Sequence, residues 1–452
     1  MNKYDTYKES RFKWLNQIPS GWRRSRIKMV GSLFGGLNGK KGSDFNNGDI
    51  SRSKPFIPFT NISNNTYISK DHFQYVNVEE HENQNRVFKN DLFFLMSSEN
   101  YDDLGKTSIL IDDVGELYLN SFCKGFRIKD PGVFPTFLNY QLMGSLHKAM
   151  ISVEGNGFTR INLRQDKLLD IPIFIPPILE QKQIVLFLDT KISHIDSLID
   201  KTIQKIELLK EKRISFINEA VTKGLDPNVE IKNINNDWIG GIPSHWEVLK
   251  LKRIGKLYGG LTGKSGEDFG QKDNPLNKPF IPFTNISNNT YISKDHFQYV
   301  NVEEHENQNR VFKNDLFFLM SSENYDDLGK TSILIDDVGE LYLNSFCKGF
   351  RITNTKTNPL FLNYQLNGFI FKKLISINGF GFTRINLRQD KLLDINILLP
   401  PPKEQKQIVH YLNKKTKLID ISIKKEEKRI KFLKEYKQSL LSEVVSGKKR
   451  VV

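Results

Sequence analysis

Apolar side chains recur every three or four positions at Ile184, Leu188, Ile192, Ile195, Ile199, Ile203, Ile206, Leu209, Phe216 and Ala220, with Lys, Glu and Asp between them. That spacing lays one narrow stripe along a helix. Pro176 and Pro177 cannot continue a preceding helix but suit a first turn, so a helix is expected from near Ile178. Gly224-Leu-Asp-Pro227 stops it. A second stripe, Ile408, Leu412, Ile419, Ile423, Ile430, Leu433, Leu440 and Val444, predicts an equivalent helix over 402–446. Each helix of about 45 residues is about 67 Å long at about 1.5 Å per residue. A single helix cannot bury such a stripe, and the simplest solution pairs the two as an antiparallel coiled coil.

The rest of the pattern has shorter periods. Between Phe56 and Ile128, β-branched and aromatic runs (Tyr67-Ile68, His72 to Val78, Asp91 to Met96, Ser108 to Ile111, Phe126 to Ile128) alternate with Asn, Asp, Gly and Ser clusters. That predicts a β-rich domain of short strands with loops at its rim. A short strand is expected at Arg26 to Val30, and a helix over Phe137 to Ile151 from the spacing of Leu138, Leu142, Leu146 and Met150. Asp170 to Pro177 is expected to be extended, and residues 1–13, being polar and unmatched, to form a loose arm.

The chain is one unit written twice. Lys54 to Ile128 recurs without a change as Lys278 to Ile352, a shift of 224 positions (278 minus 54). Outside this block the likeness weakens but keeps register from about Trp14 to Val221. A period this long means duplicated domains rather than a solenoid. The expected architecture is α+β: two similar β-rich globular domains (1–177 and 224–401, the latter with its linker), two long antiparallel helices (178–223 and 402–446) related by a pseudo-two-fold, and a basic tail at 447–452.

Composition narrows the class. In 452 residues, 38% hydrophobic with 11% aromatic is enough for globular cores. Lys and Arg outnumber Asp and Glu by 66 to 52, a net charge of +14 that favours a polyanionic partner, nucleic acid first. The two cysteines, Cys123 and Cys347, occupy the same repeat position. They form no disulfide framework or zinc knuckle and suit a reducing compartment. With a charged N-terminus and no apolar run near the roughly 20 residues of a membrane span, a cytoplasmic protein without membrane contact is expected.

Catalytic constellations are mostly missing. Gly263-Lys-Ser265 resembles the end of a phosphate-binding loop, but Tyr258 stands where the first glycine is needed, Phe34 stands there in the first copy, and Lys41 replaces the serine. Pro176-Pro177 and Pro400 to Pro402 lack the flanking residues of amino-methyltransferase motifs. Asp71, His72, Glu79, Glu80 and His81 match no metal-ligand spacing. What remains are polar loops suited to bases and phosphates. Asn61, Ser63, Asn64 and Asn65, repeated as Asn285, Ser287, Asn288 and Asn289, offer paired hydrogen bonds to base edges. Lys40, Lys41, Lys106, Arg160 and Arg164, with Lys264, Lys330, Arg384 and Arg388, are candidate phosphate contacts. Ser97 to Asn100 adds further donors.

Three motifs then carry a family resemblance. They are Ile18-Pro-Ser-Gly-Trp22 (repeated at Ile242 to Trp246), Gly157-Phe-Thr-Arg-Ile-Asn-Leu163 (repeated at Gly381 to Leu387), and Ile175-Pro-Pro-x-x-Glu-Gln-x-x-Ile184 before a long helix (echoed at Leu399 to Ile408). In this order and doubled, the chain resembles the specificity subunit of type I restriction-modification enzymes. The resemblance implies a non-catalytic reader of a bipartite double-stranded DNA target, docked to two copies of a methyltransferase subunit and accompanied by a restriction or translocase subunit. S-adenosylmethionine and ATP would then be bound by those partners, with none in this chain. Glu180, Gln181 and Ile184, with Glu404, Gln405 and Ile408, are expected to touch the partner. One departure stands out: the family's two target domains usually differ, whereas here their central blocks are identical. Two-fold-related identical readers imply an interrupted palindrome, with half-sites up to roughly two turns of DNA apart at about 34 Å each. The unmatched stretches Asn46 to Ser53 against Gly270 to Asn277, and Lys129 to Val133 against Thr353 to Thr357, could make the halves differ. Two other classes compete: a self-contained DNA methyltransferase or nuclease, and a coiled-coil adaptor without DNA specificity.

Overall fold

The computed structural model describes residues 2–12, 14–45, 53–234, 239–270, 274 and 276–451. The chain divides into two compact units, 1–203 with 428–452, and 204–427. Each holds one globular domain and half of each long helix. This partition differs from the expected boundaries because each helix passes from one unit into the other.

In the first unit the centre is a four-stranded antiparallel sheet in the order Gly31–Gly35, Cys123–Ile128, Leu92–Leu95, Thr107–Ile109. Successive side chains of a strand point to opposite faces, and here both faces are covered. Leu92 and Phe94 pack with Phe126, Leu138 and Ile151 on one side. Phe93 and Leu95 pack with Ile57, Leu119 and Cys123 on the other. A strand buried on both faces reads as an unbroken apolar run, which is why Leu-Phe-Phe-Leu does not alternate. Burial pushes the Cys123 thiol up to about 12. A second sheet orders Tyr118–Leu119, Ser53–Ile57 and Gln74–Asn77, and a third Gly155–Asn156, Ile161–Leu163 and Ser97–Ser98.

Three local expectations are corrected. The single helix over 137–151 is two, Pro135–Met143 and Ser145–Glu154, broken at Gly144 with φ −63° and ψ 148°. A Cβ on Gly144 would lie 3.0 Å from Val445, so the end of the second long helix occupies that space. The strand expected at Arg26 to Val30 lies earlier, at Arg23–Arg26, because Arg23 pairs with Ile175 and Arg26 with Pro172; a 3-10 turn, Ile27–Met29, follows. The extended segment leading to the helix is therefore a strand that ties the domain's two ends together. Finally, the loose arm is a hairpin strand, Tyr7–Phe12, paired with Leu15–Pro19. Its counterpart Ile231–Asn233 pairs with Gly241–Pro243, so the structural repeat begins before the sequence repeat is visible.

The second unit repeats this plan, with the central order Gly255–Gly259, Cys347–Ile352, Leu316–Leu319, Thr331–Ile333. The long helices run Ile178–Lys223 and Pro402–Val445. Within the first unit Ile184, Leu188 and Ile195 share a core with Leu440, Leu441 and Val444, and Lys437 holds Asp196 at 2.6 Å. Within the second, Ile217 and Val221 share a core with Ile408 and Leu412, Lys205 holds Glu426 at 2.5 Å and Arg213 holds Asp420 at 3.0 Å. Numbers rise along one helix as they fall along the other, so the pairing is antiparallel. Ile203 lies outside the stripe, exposed, while Thr202 takes the buried place and donates to the Leu198 carbonyl at 2.6 Å.

Candidate nucleic-acid interface

The joint between domain and helix absorbs the residues expected to touch a partner. Gln181 is fully buried; its amide nitrogen donates to the carbonyls of Gly132 and Pro176, both at 2.8 Å, and its oxygen accepts from the Phe134 amide at 2.7 Å. Glu180 accepts from Trp22 Nε1 at 3.0 Å and from the Tyr4 hydroxyl at 2.6 Å. In the second copy Gln405 binds Lys356, Pro400 and Asn358, and Glu404 takes Trp246 and His245. Ile184 and Ile408 are buried in the cores. In this structure all six residues tie helix to domain, with Glu180 and Glu404 remaining partly exposed. The Pro-Pro-x-x-Glu-Gln spacing places both side chains in the first helical turn, the acid toward the tryptophan of the Ile-Pro-Ser-x-Trp turn and the amide toward the 132–134 segment or its counterpart 356–358. The same joint holds one of the divergent stretches: Asp130 pairs with Arg23 at 2.5 Å, and Gly132 and Lys356 offer their carbonyls to the glutamines. Lys129 to Val133 and Thr353 to Thr357 thus build the joint. Of the other divergent pair, 46–52, 271–273 and 275 lie outside the described residues.

Several expected base and phosphate contacts already have partners within the chain, some buried and some at the surface. Asn61 is fully buried, donates to the Ser69 carbonyl at 2.8 Å and accepts from its amide at 3.1 Å; Asn285 does the same with Ser293. Asn65 and Asn289 donate to the carbonyls of Asn61 and Asn285 at 3.0 Å. These four amides hold a turn together in each unit. Lys40 is bound to Glu82 at 2.5 Å, and Lys264 to Glu306 with the lysine side chain 7% exposed. The Lys264 ammonium holds the Glu306 carboxyl down to about 2. Arg164 and Arg388 each clasp an aspartate two residues on, Arg388 to Asp390 at 3.0 and 2.9 Å. That contact keeps the Asp390 carboxyl below its usual range. Lys41 is exposed and remains available, but its repeat position holds Ser265.

The remaining candidates converge. In the second unit a groove of about 480 Å³ is lined by Ser287 and Asn288 from one turn, Ser321 and Asn324 from another, Lys330, and Thr383 with Arg384 from a hairpin. Arg384 Nε donates to Ser321 Oγ at 2.8 Å, and its guanidinium lies 5.5 Å from the Phe346 ring centre. In the first unit the equivalent Arg160 lies 5.3 Å from the ring of Phe122, and Lys106 donates to the Ser63 carbonyl at 3.2 Å beside exposed Asn64. Amide, hydroxyl and guanidinium groups on one concave wall are the chemistry that reads base edges and holds phosphates. Sequence reading found the Asn, Lys and Arg of this wall but missed Phe122, Phe158, Phe346 and Phe382. For Phe158 and Phe382 the available signal was the Gly-Phe-Thr-Arg context shared by both copies; Phe122 and Phe346, set between Ser and Cys, carry no such signal. Among the described residues no cluster of three or more His, Cys, Asp and Glu could hold a metal ion. Among the described residues no helix is long and apolar enough to cross a membrane.

Comparison with known proteins agrees with this layout. The profile of the type I restriction modification DNA specificity domain matches twice, over residues 19–208 and 243–431. The chain is 26% identical to the type I restriction enzyme MjaVIII specificity subunit of Methanocaldococcus jannaschii, over 98% of this chain and 97% of that one. It is 22% identical to the EcoKI specificity subunit of Escherichia coli, over 95% and 90%. Among solved structures, a chain from work on complex assembly and conformational transition of the type I R-M system superposes with TM-score 0.72 at 14% identity, covering 96% of this chain and 99% of that one. The HsdS subunit from Thermoanaerobacter tengcongensis gives 0.55 at 14% identity, covering 96% and 98%. Identities this low in the two structures speak for the fold alone. The family profile spans most of both repeats, and the chain belongs to the type I restriction-modification DNA specificity family.

Proposed function

We propose that this specificity subunit reads an interrupted, palindromic DNA target, one half-site per unit. The observation that carries this is the duplication: Ser287, Asn288, Ser321, Asn324 and Lys330 line one groove, and the identical block supplies Ser63, Asn64, Ser97, Asn100 and Lys106 to the other unit. Identical readers bind identical bases. Helices that run antiparallel within each unit support inverted rather than direct half-sites. The chain itself supplies recognition without catalysis. Methyl transfer would come from two methyltransferase subunits that bring S-adenosylmethionine, and cleavage from a restriction or translocase subunit that uses ATP. Since Gln181, Ile184 and their counterparts are occupied internally, the docking surface for those subunits is better sought on exposed long-helix residues such as Leu179, Leu186, Leu208 and Phe432.

Mapping methylated bases on genomic DNA by single-molecule sequencing, with and without this chain, tests the proposal. A motif whose halves are inverted copies around unread bases is expected. Halves unrelated under inversion would refute the palindrome, and the absence of any chain-dependent motif would refute the DNA-reading role.

A further inference from the structure

Phe158 and Phe382 are the most exposed large apolar side chains of the described residues, at 107% and 105% of the reference value. Each sits at the tip of a hairpin, Gly155–Asn156 with Ile161–Leu163 in the first unit and Gly379–Phe380 with Ile385–Leu387 in the second. The backbone forces them out. Gly157 and Gly381 have φ +138° and +121°, and a Cβ there would stand 2.1 and 2.2 Å from the carbonyl oxygens of Arg160 and Arg384. Only glycine closes the loop this tightly, and the residue after it is held clear of the domain. Burying a phenylalanine side chain is favourable, and this conformation forgoes that gain twice. The two copies differ just before the tip (Asn156 against Phe380) yet share Gly-Phe-Thr-Arg.

The surroundings say what would cover the ring. Two residues on, Arg160 and Arg384 lie over Phe122 and Phe346, rings that are themselves 60% and 62% exposed. The adjoining strands Ser97–Ser98 and Ser321–Ser322 carry the tip beside the polar groove. A protein partner could bury a lone phenylalanine, but cations and hydroxyls on the same tip favour a surface that is both anionic and stacked. We infer that Phe158 and Phe382 are DNA wedges: each ring enters a base step of its half-site, unstacks it, and is anchored by the neighbouring arginine on the flanking phosphates. Apolar wedges of this kind kink a duplex and favour flexible pyrimidine–purine steps, adding sequence preference where no base edge is hydrogen-bonded.

This inference rests on the DNA-reading role proposed above, and the test separates the two. The complete chain, with a methyltransferase subunit, is mixed with a duplex carrying the mapped motif and 2-aminopurine placed in turn at each A·T position. The wild type should brighten at one step per half-site. Phe158→Ala with Phe382→Ala should abolish that rise and lower affinity by on the order of tenfold per ring. The slope of affinity against salt should not change, because no charge is lost. Phe158→Trp with Phe382→Trp should restore the rise. No motif-selective binding by the wild type would remove the DNA-reading role and the wedge together. Selective binding with an unaltered signal and affinity in the alanine variant would overturn the wedge alone. So would loss of the methyltransferase subunit from that variant, which would assign the rings to a protein interface.

Discussion

His147 gives the first unit an acid sensitivity that the second lacks. It lies in the helix Ser145–Glu154, is 1% exposed, and its Nε2 is 2.9 Å from the Pro172 carbonyl oxygen. Burial drives its pKa from 6.5 to about 4, with the nearby carbonyls offsetting part of the effect. Above pH 6.5 the imidazole is neutral whether folded or not, and its contribution to stability is fully present. As pH falls below 6.5 the unfolded chain takes up a proton that the folded domain refuses until about 4, so stability is lost across that window. The loss is about 1.4 kcal/mol per pH unit, or about 2 kcal/mol between pH 7 and pH 5, against a typical domain stability of about 5–15 kcal/mol. The second copy shows how to remove it. There Phe371 stands for His147 and Leu398 for Phe174, the ring His147 meets edge-on at 6.3 Å. Hydrogen exchange of Pro135–Glu154, compared with Pro359–Ser376 in the same molecule, reports each unit separately. In the wild type the first segment should lose protection on acidification by about 2 kcal/mol more than the second. His147→Phe with Phe174→Leu should equalise them. An unchanged gap in that variant would show that His147 is not the source.

Gln181→Ala or Gln405→Ala removes two donated bonds and one accepted bond at a buried joint, and should lower thermal stability by about 2–4 kcal/mol, read by calorimetry. If the glutamines were partner contacts instead, the isolated chain would be unaffected. Arg160→Ala with Arg384→Ala should flatten the slope of log affinity against log salt by about two, one per lost phosphate contact, in titrations of motif-bearing DNA. Arg164→Ala with Arg388→Ala should flatten it less, since those guanidinium groups already hold aspartates. Arg351→Ala leaves Asp315, which is 3% exposed and held by that guanidinium at 2.7 Å, without its cation and with only the Tyr258 hydroxyl and Phe312 amide, and should cost about 3 kcal/mol in urea unfolding.

Much was legible in the sequence because some features are local. The stripe from Ile184 onward and the two prolines fix a helix at Ile178, and its width demands a second helix, since a backbone period of 3.6 residues reports directly which side is apolar. The exact repetition of Lys54 to Ile128 fixes two like domains.

Polar residues carry no such periodic signal, and their fate was decided by distant partners. Asn285 and Asn288 are alike in the sequence; one is consumed by Ser293 and buried, the other is exposed and lines the groove. Gln181 reads as an exposed first-turn residue until Phe134, 47 positions away, claims it. The arm Tyr7–Phe12 became ordered only by pairing with Leu15–Pro19, and Gly144 interrupts the expected helix where Val445 leaves little room for a side chain. Phe158 shows the converse: an apolar residue that any pattern would bury is thrust outward by the φ of Gly157. The sequence by itself therefore determined the helices, the duplication and the basic character, all carried by local period or by identity. Tertiary structure decided which amides and cations remain free to meet DNA, because a buried hydrogen bond depends on where a remote backbone group arrives.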